Sequence, residues 1–146
     1  MKLGRLDEAA KALETAVGLA PDMSNAWINF GQTLLLQKQL GKGIVALERA
    51  IKLNPQAADA RLYLARAYLG GKQYERARSI LDELLRLQPE SASALALMTW
   101  LNLVEGKGQE AQTSYLRMKA KSPLEAANFR ASAIAKSVPG AVELPE

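Results

Sequence analysis

Small and large apolar residues recur four apart along the chain, as Ala9 and Leu13, Gly43 and Leu47, Ala77 and Leu81, and Ala111 and Tyr115. That spacing stacks both members on one face of an α-helix. The pairs follow one another at a constant offset, and Pro21, Pro55, Pro89 and Pro123 keep the same separation. A proline steers the residue before it away from helix, so each one closes a helical run. The pattern predicts helices over 24–37 and 41–53, 58–70 and 74–87, and 92–105 and 109–121, with Gly41, Gly70, Gly71, Gly106 and Gly108 near the bends inside each pair. A fixed period of about 34 residues signals a repeat architecture of helical hairpins.

The ends follow the same register. Residues 6–20 read as the second helix of an earlier hairpin, packing through Leu6, Ala9, Leu13 and Ala16. A hairpin buries its apolar face against a neighbour, so a second helix without its first predicts that the chain is a piece of a longer protein. Residues 124–137 predict a capping helix, with Phe129 in the register of Trp27 and polar Asn128, Arg130, Ser132 and Lys136 around it. Val138-Pro139-Gly140 then breaks the helix, and 138–146 are expected to form a flexible tail carrying Val142 and Leu144.

Composition narrows the chemistry. The 146 residues are 49% apolar and only 5% aromatic, with Ala and Leu recurring throughout, which suits helix. There is no Cys and no His, which removes thiolate nucleophiles, most zinc sites and the commonest general base. Asp82 and Glu83, or Lys121 and Ser122, are sequence neighbours that point apart on a helix, so an enzyme is not expected, nor a cofactor or metal site. No glycine-rich turn follows a strand to cradle a nucleotide phosphate. The net charge of +4 comes from interleaved signs, a solvated surface more than a nucleic-acid footprint, although Arg61, Arg66, Lys72, Arg76 and Arg78 lie close in sequence. Apolar runs fall far short of the roughly 20 residues that span a bilayer. The compartment stays open, with cytoplasm and bacterial periplasm both compatible.

Trp27, Phe30, Gly31 and Leu34, then Gly43, Leu47 and Pro55, resemble the tetratricopeptide repeat, whose pattern is Trp-x2-Leu-Gly-x2-Tyr, a later Ala-x3-Phe and a closing Pro. The second repeat carries Leu64, Ala65, Tyr68, Ala77, Leu81 and Pro89. The third departs from the pattern at Thr99 and Asn102, which place polar groups where two helices meet and call for hydrogen bonds. The resemblance implies an all-α, right-handed α-solenoid of helical hairpins, an α-α superhelix. Its divisions would be 1–23 as half a repeat, repeats over 24–57, 58–91 and 92–123, and the cap over 124–137, all within one solenoid of 1–137.

In this family the face of each first helix turned away from its hairpin partner lines a concave groove. Here that face holds Asn25, Asn29 and Gln32, then Tyr63 and Arg66, then Leu97 and Trp100. Tyr63, Arg66 and Trp100 are the expected anchors, since such side chains dominate interface energetics. Leu62, Leu69 and Leu103 are better read as packing residues, and so is Trp27. The best-known subset of the family grips chaperone C-terminal carboxylates, but the matching sites hold Ile28, Gln32, Tyr63, Ser93 and Leu97, one amide and no cation, which argues against that ligand. The resemblance thus implies a non-catalytic scaffold that binds a protein or peptide segment, without nucleic acid or membrane insertion. The Ala/Leu-rich repeats suggest a bacterial setting such as envelope assembly, secretion or polysaccharide export. The alternative is self-assembly into a homo-oligomer through the open first helix or the tail.

Overall fold

The computed structural model describes residues 2–146, and among them there is no strand. Eight helices follow one another: α1 (Lys2–Leu19), α2 (Ser24–Leu36), α3 (Leu40–Leu53), α4 (Ala58–Gly70), α5 (Tyr74–Leu87), α6 (Ala92–Val104), α7 (Gly108–Lys121) and α8 (Pro123–Ala135), with a single 3₁₀ turn at Ala141–Glu143. Helices α2 to α7 fall within one residue of the bounds expected from the pattern. Contacts group the chain into two compact units, Met1–Ala77 and Arg78–Glu146.

In the first unit, α2 packs against α3 through the paired glycines. Gly31 and Gly43 are both buried, and each faces the other helix so closely that a β-carbon on either would collide with a leucine. Ala46, Leu47 and Ala50 of α3 complete the buried stripe. The loops between hairpins are tied by a recurring bond to a proline carbonyl. Trp27 Nε1 donates to the oxygen of Pro21 at 2.9 Å, and one period later Arg61 Nη1 donates to that of Pro55 at 2.6 Å. Indole and guanidinium are interchangeable here because both offer an N–H at the end of a long side chain. This is a structural role for Trp27, in keeping with its expected assignment.

In the second unit the same register position is Leu95, which has no donor, and Arg117 Nη2 reaches over from α7 to bond Pro89 at 2.8 Å. The two polar departures are satisfied. Thr99, fully buried, shares a 2.8 Å hydrogen bond with Ser114 and donates to the Leu95 carbonyl at 2.8 Å. Asn102 Oδ1 accepts from Arg78 Nη2 at 2.8 Å, and the same guanidinium pairs with Glu105, which Lys107 also contacts at 2.9 Å. Lys107, with Arg78 behind it, holds the Glu105 carboxyl below the ordinary glutamate range against the opposing effect of its partial burial. A depressed folded-state pKa means that this stabilisation is present above the unfolded value and lost as pH falls through the folded one. A stability profile below about pH 4.5 should therefore be flatter for Glu105→Gln than for the parent; superimposable profiles would remove Glu105 from the account.

Residues 138–146, expected as a flexible tail, are packed. Ala141 and Leu144 are buried in one cluster with Tyr115, Met118 and Ala133, and Arg130 Nε donates to the Leu144 carbonyl at 2.8 Å. The reason is a turn that sequence polarity alone did not reveal. The bends after α2, α4, α6 and α8 place Lys38, Lys72, Gly106 and Gly140 at φ 62°, 56°, 73° and 75°, each one period after the last. Gly140 thus repeats the turn of the earlier hairpins and carries Ala141 and Leu144 back onto α7 and α8. A left-handed residue other than glycine costs of order 1 kcal/mol. Lys72→Gly is expected to add up to about 1 kcal/mol of stability, read as a higher urea midpoint at unchanged slope; an unchanged or lower midpoint would show that the strain is relieved elsewhere.

Candidate partner-binding groove

On the side of α2 away from α3's glycine contact, Asn25 and Asn29 are exposed and Gln32 is half-buried. Tyr63, half-buried, and Arg66, exposed, stand on α4. Between them lies a depression of about 270 Å³ lined by Gln32, Leu35, Leu36, Tyr63 and Arg66, with Leu40 and Ala67 at its base. The structure therefore brings Gln32, Tyr63 and Arg66 together. Asn25 and Asn29 lie along α2 outside this depression. Leu97 and Trp100 are half-buried on α6, in the second unit. Leu69 and Leu103 are buried, as packing residues should be, and Leu62 is half-buried.

Leu35, Leu40 and Ala67 were missed by the face assignment. Leu35 leans across the helix pair because Gly43 has no β-carbon; one placed there would lie 2.7 Å from Leu35 Cδ2. Leu40 rests similarly near Gly71, 3.1 Å from a β-carbon built there. The paired small residue at each site was the available signal, since a missing side chain on one helix invites a large one from its neighbour.

The depression combines an apolar floor with an amide, a phenol and a guanidinium. Leu36 is 59% exposed at its edge. No carboxylate among the described residues pairs with Arg66. Such a site can seat a bulky apolar side chain and offer directional donors to a carboxylate or backbone carbonyl beside it. Among the described residues no group of acidic side chains is arranged to hold a metal ion, and no helix is long and apolar enough to cross a membrane.

Two tetratricopeptide-repeat family models match the chain, over residues 34–101 and residues 1–46. No curated protein matches it in sequence. Among solved structures, that of MamA is similar at 18% identity and a TM-score of 0.80, covering 97% of this chain and 85% of that one. YrrB, a tetratricopeptide protein with an unusual peptide-binding site, is similar at 17% identity and a TM-score of 0.72, covering 97% and 75%. The first tetratricopeptide domain of Spaghetti (RPAP3), solved bound to the HSP90 peptide SRMEEVD, is similar at 20% identity and a TM-score of 0.69, covering 78% and 93%. These likenesses show the fold, an α-solenoid of helical hairpins.

Proposed function

Because the chain belongs to the tetratricopeptide-repeat family, whose hairpins are protein-interaction modules, we propose that it is a non-catalytic scaffold holding a partner segment against Gln32, Tyr63 and Arg66. The observation that carries this reading is the guanidinium of Arg66, paired with no carboxylate among the described residues, beside an exposed leucine in one depression. A segment with an acidic side chain next to a bulky apolar one answers both features. Asn25 and Asn29 offer further donors and acceptors along α2 for the segment's backbone, and Leu97 and Trp100 give the second unit an apolar and aromatic strip of its own. Peptide binding by two of the similar structures supports the class of ligand. The acidic chaperone tail is a poor candidate, because the sites that would clamp its carboxylate hold Ile28, Gln32, Tyr63, Ser93 and Leu97.

A random peptide library selected on the parent chain tests the reading. Recovered peptides should pair an acidic residue with a bulky apolar one and lose at least about tenfold in affinity to Arg66→Glu. Circular dichroism should show that variant to be folded, since Arg66 is exposed. Peptides that bind parent and variant equally, or that share no acidic residue, would overturn the assignment.

A further inference from the structure

The opposite side of α2 carries a larger opening. In the second hairpin, Tyr68 is buried, its hydroxyl donates to Glu48 Oε1 at 2.8 Å, and the Arg76 guanidinium sits over its ring, 5.9 Å from the centroid. One period earlier, Glu14 stands for Glu48 and Lys42 for Arg76, but Leu34 stands for Tyr68. The carboxylate and the cation are kept and the phenol between them is missing. Ala10 likewise stands where the next repeat has Ile44, so a second side chain's volume is also withdrawn.

At this place lies a cavity of about 610 Å³ whose lining includes Ala10, Glu14 and Lys42 together with Trp27, Phe30 and the buried Leu34. Trp27 and Phe30 are tilted at 55° with their rings 6.3 Å apart, so part of the lining is aromatic, and the indole is already fixed by its bond to Pro21. No hydrogen bond or ion pair within the described residues engages Glu14 or Lys42.

We propose that this cavity receives a tyrosine side chain from a protein partner. The ring lies on Leu34 and against Trp27 and Phe30, its hydroxyl donates to Glu14, and Lys42 covers its face, reproducing in trans what the chain does with Tyr68 in cis. Aromatic contact area and the cation over the ring favour an aromatic side chain over an aliphatic one. The Glu14 acceptor favours tyrosine over phenylalanine, because a ring without a hydroxyl shields that carboxylate from water and returns no hydrogen bond. This surface lies on the far side of α2 from Gln32 and Arg66, so it does not depend on the peptide reading of that depression.

The experiment is a titration of the full chain with N-acetyl-L-tyrosinamide, followed by the indole N–H resonance of Trp27, which Trp100→Phe leaves as the sole tryptophan. N-acetyl-L-phenylalaninamide and N-acetyl-L-leucinamide are run beside it. Tyrosinamide should give a saturable shift at least about threefold tighter than phenylalaninamide, with leucinamide weaker still. Glu14→Ala, which removes the acceptor, should reduce tyrosinamide to the phenylalaninamide level. Leu34→Tyr, which supplies the ring in cis, should abolish the shift and raise the melting temperature; Ala10→Ile fills the same space if that variant misfolds. An absent shift, equal responses to tyrosinamide and leucinamide, or a shift that survives both filled variants would each overturn the proposal.

Discussion

Gly31→Val is expected to lower the melting temperature by roughly 6–12 °C, equivalent to about 3 kcal/mol in a chain of this size. A β-carbon at residue 31 would lie 2.7 Å from Leu47 Cγ and 3.2 Å from the Gly43 carbonyl oxygen. Neither neighbour yields cheaply. Leu47 is fully buried and the contact is at its branch point, while the Gly43 oxygen belongs to the backbone of α3. The second and third repeats carry Ala65 with Ala77 and Thr99 with Ala111 at the equivalent sites, so the paired glycines are particular to this hairpin. Relief must come from separating α2 and α3, which opens voids around Ala46 and Ala50. Thermal melts by circular dichroism decide the matter, and a midpoint within about 2 °C of the parent would mean that the helices part without loss.

Tyr115→Ala should cost more, about 4 kcal/mol. Tyr115 is almost fully buried, packs its ring 6.4 Å from that of Phe129, and joins α7 to α8 and to the docked Ala141 and Leu144. Hairpins in a repeat protein are stabilised by their immediate neighbours, so the damage should be local. Hydrogen exchange should show amides of residues 108–144 losing protection while those of 24–53 keep theirs. A uniform loss along the chain would instead mean a single cooperative unit, and an unchanged exchange pattern would show that the cluster around Tyr115 adds little. The same variant reports on residues 138–146, because without the Tyr115 ring Ala141 and Leu144 lose part of the surface on which they rest.

The helices were legible because their signals are local. A small residue four before a large one, and a proline closing every period, act within one turn or one loop. The buried polar pair was half legible: Thr99 and Asn102 were visible as departures needing partners, but Ser114 and Arg78 as those partners were not. Among the residues that line the depression, the face of α2 and α4 was readable from helical geometry, whereas the contribution of Leu35, Leu40 and Ala67 depends on what lies across Gly43 and Gly71. The packed end of the chain was misread because Val138-Pro139-Gly140 marks a break in helix without saying where the chain goes next. The left-handed turn at Gly140, shared with Lys38, Lys72 and Gly106, decides that.

What the amino-acid sequence determined by itself was the period, the helix pairs, the family and the absence of Cys and His chemistry, all of which rest on residue type and short-range spacing. Only the tertiary structure decided which side chains share a depression, which polar groups are satisfied, and where volume is left unfilled. Those depend on the distance between helices far apart in sequence. That distance is set by the sum of side chains packed between them, so Leu34 in place of a tyrosine or Ala10 in place of an isoleucine becomes an opening only once α1, α2 and α3 are brought together.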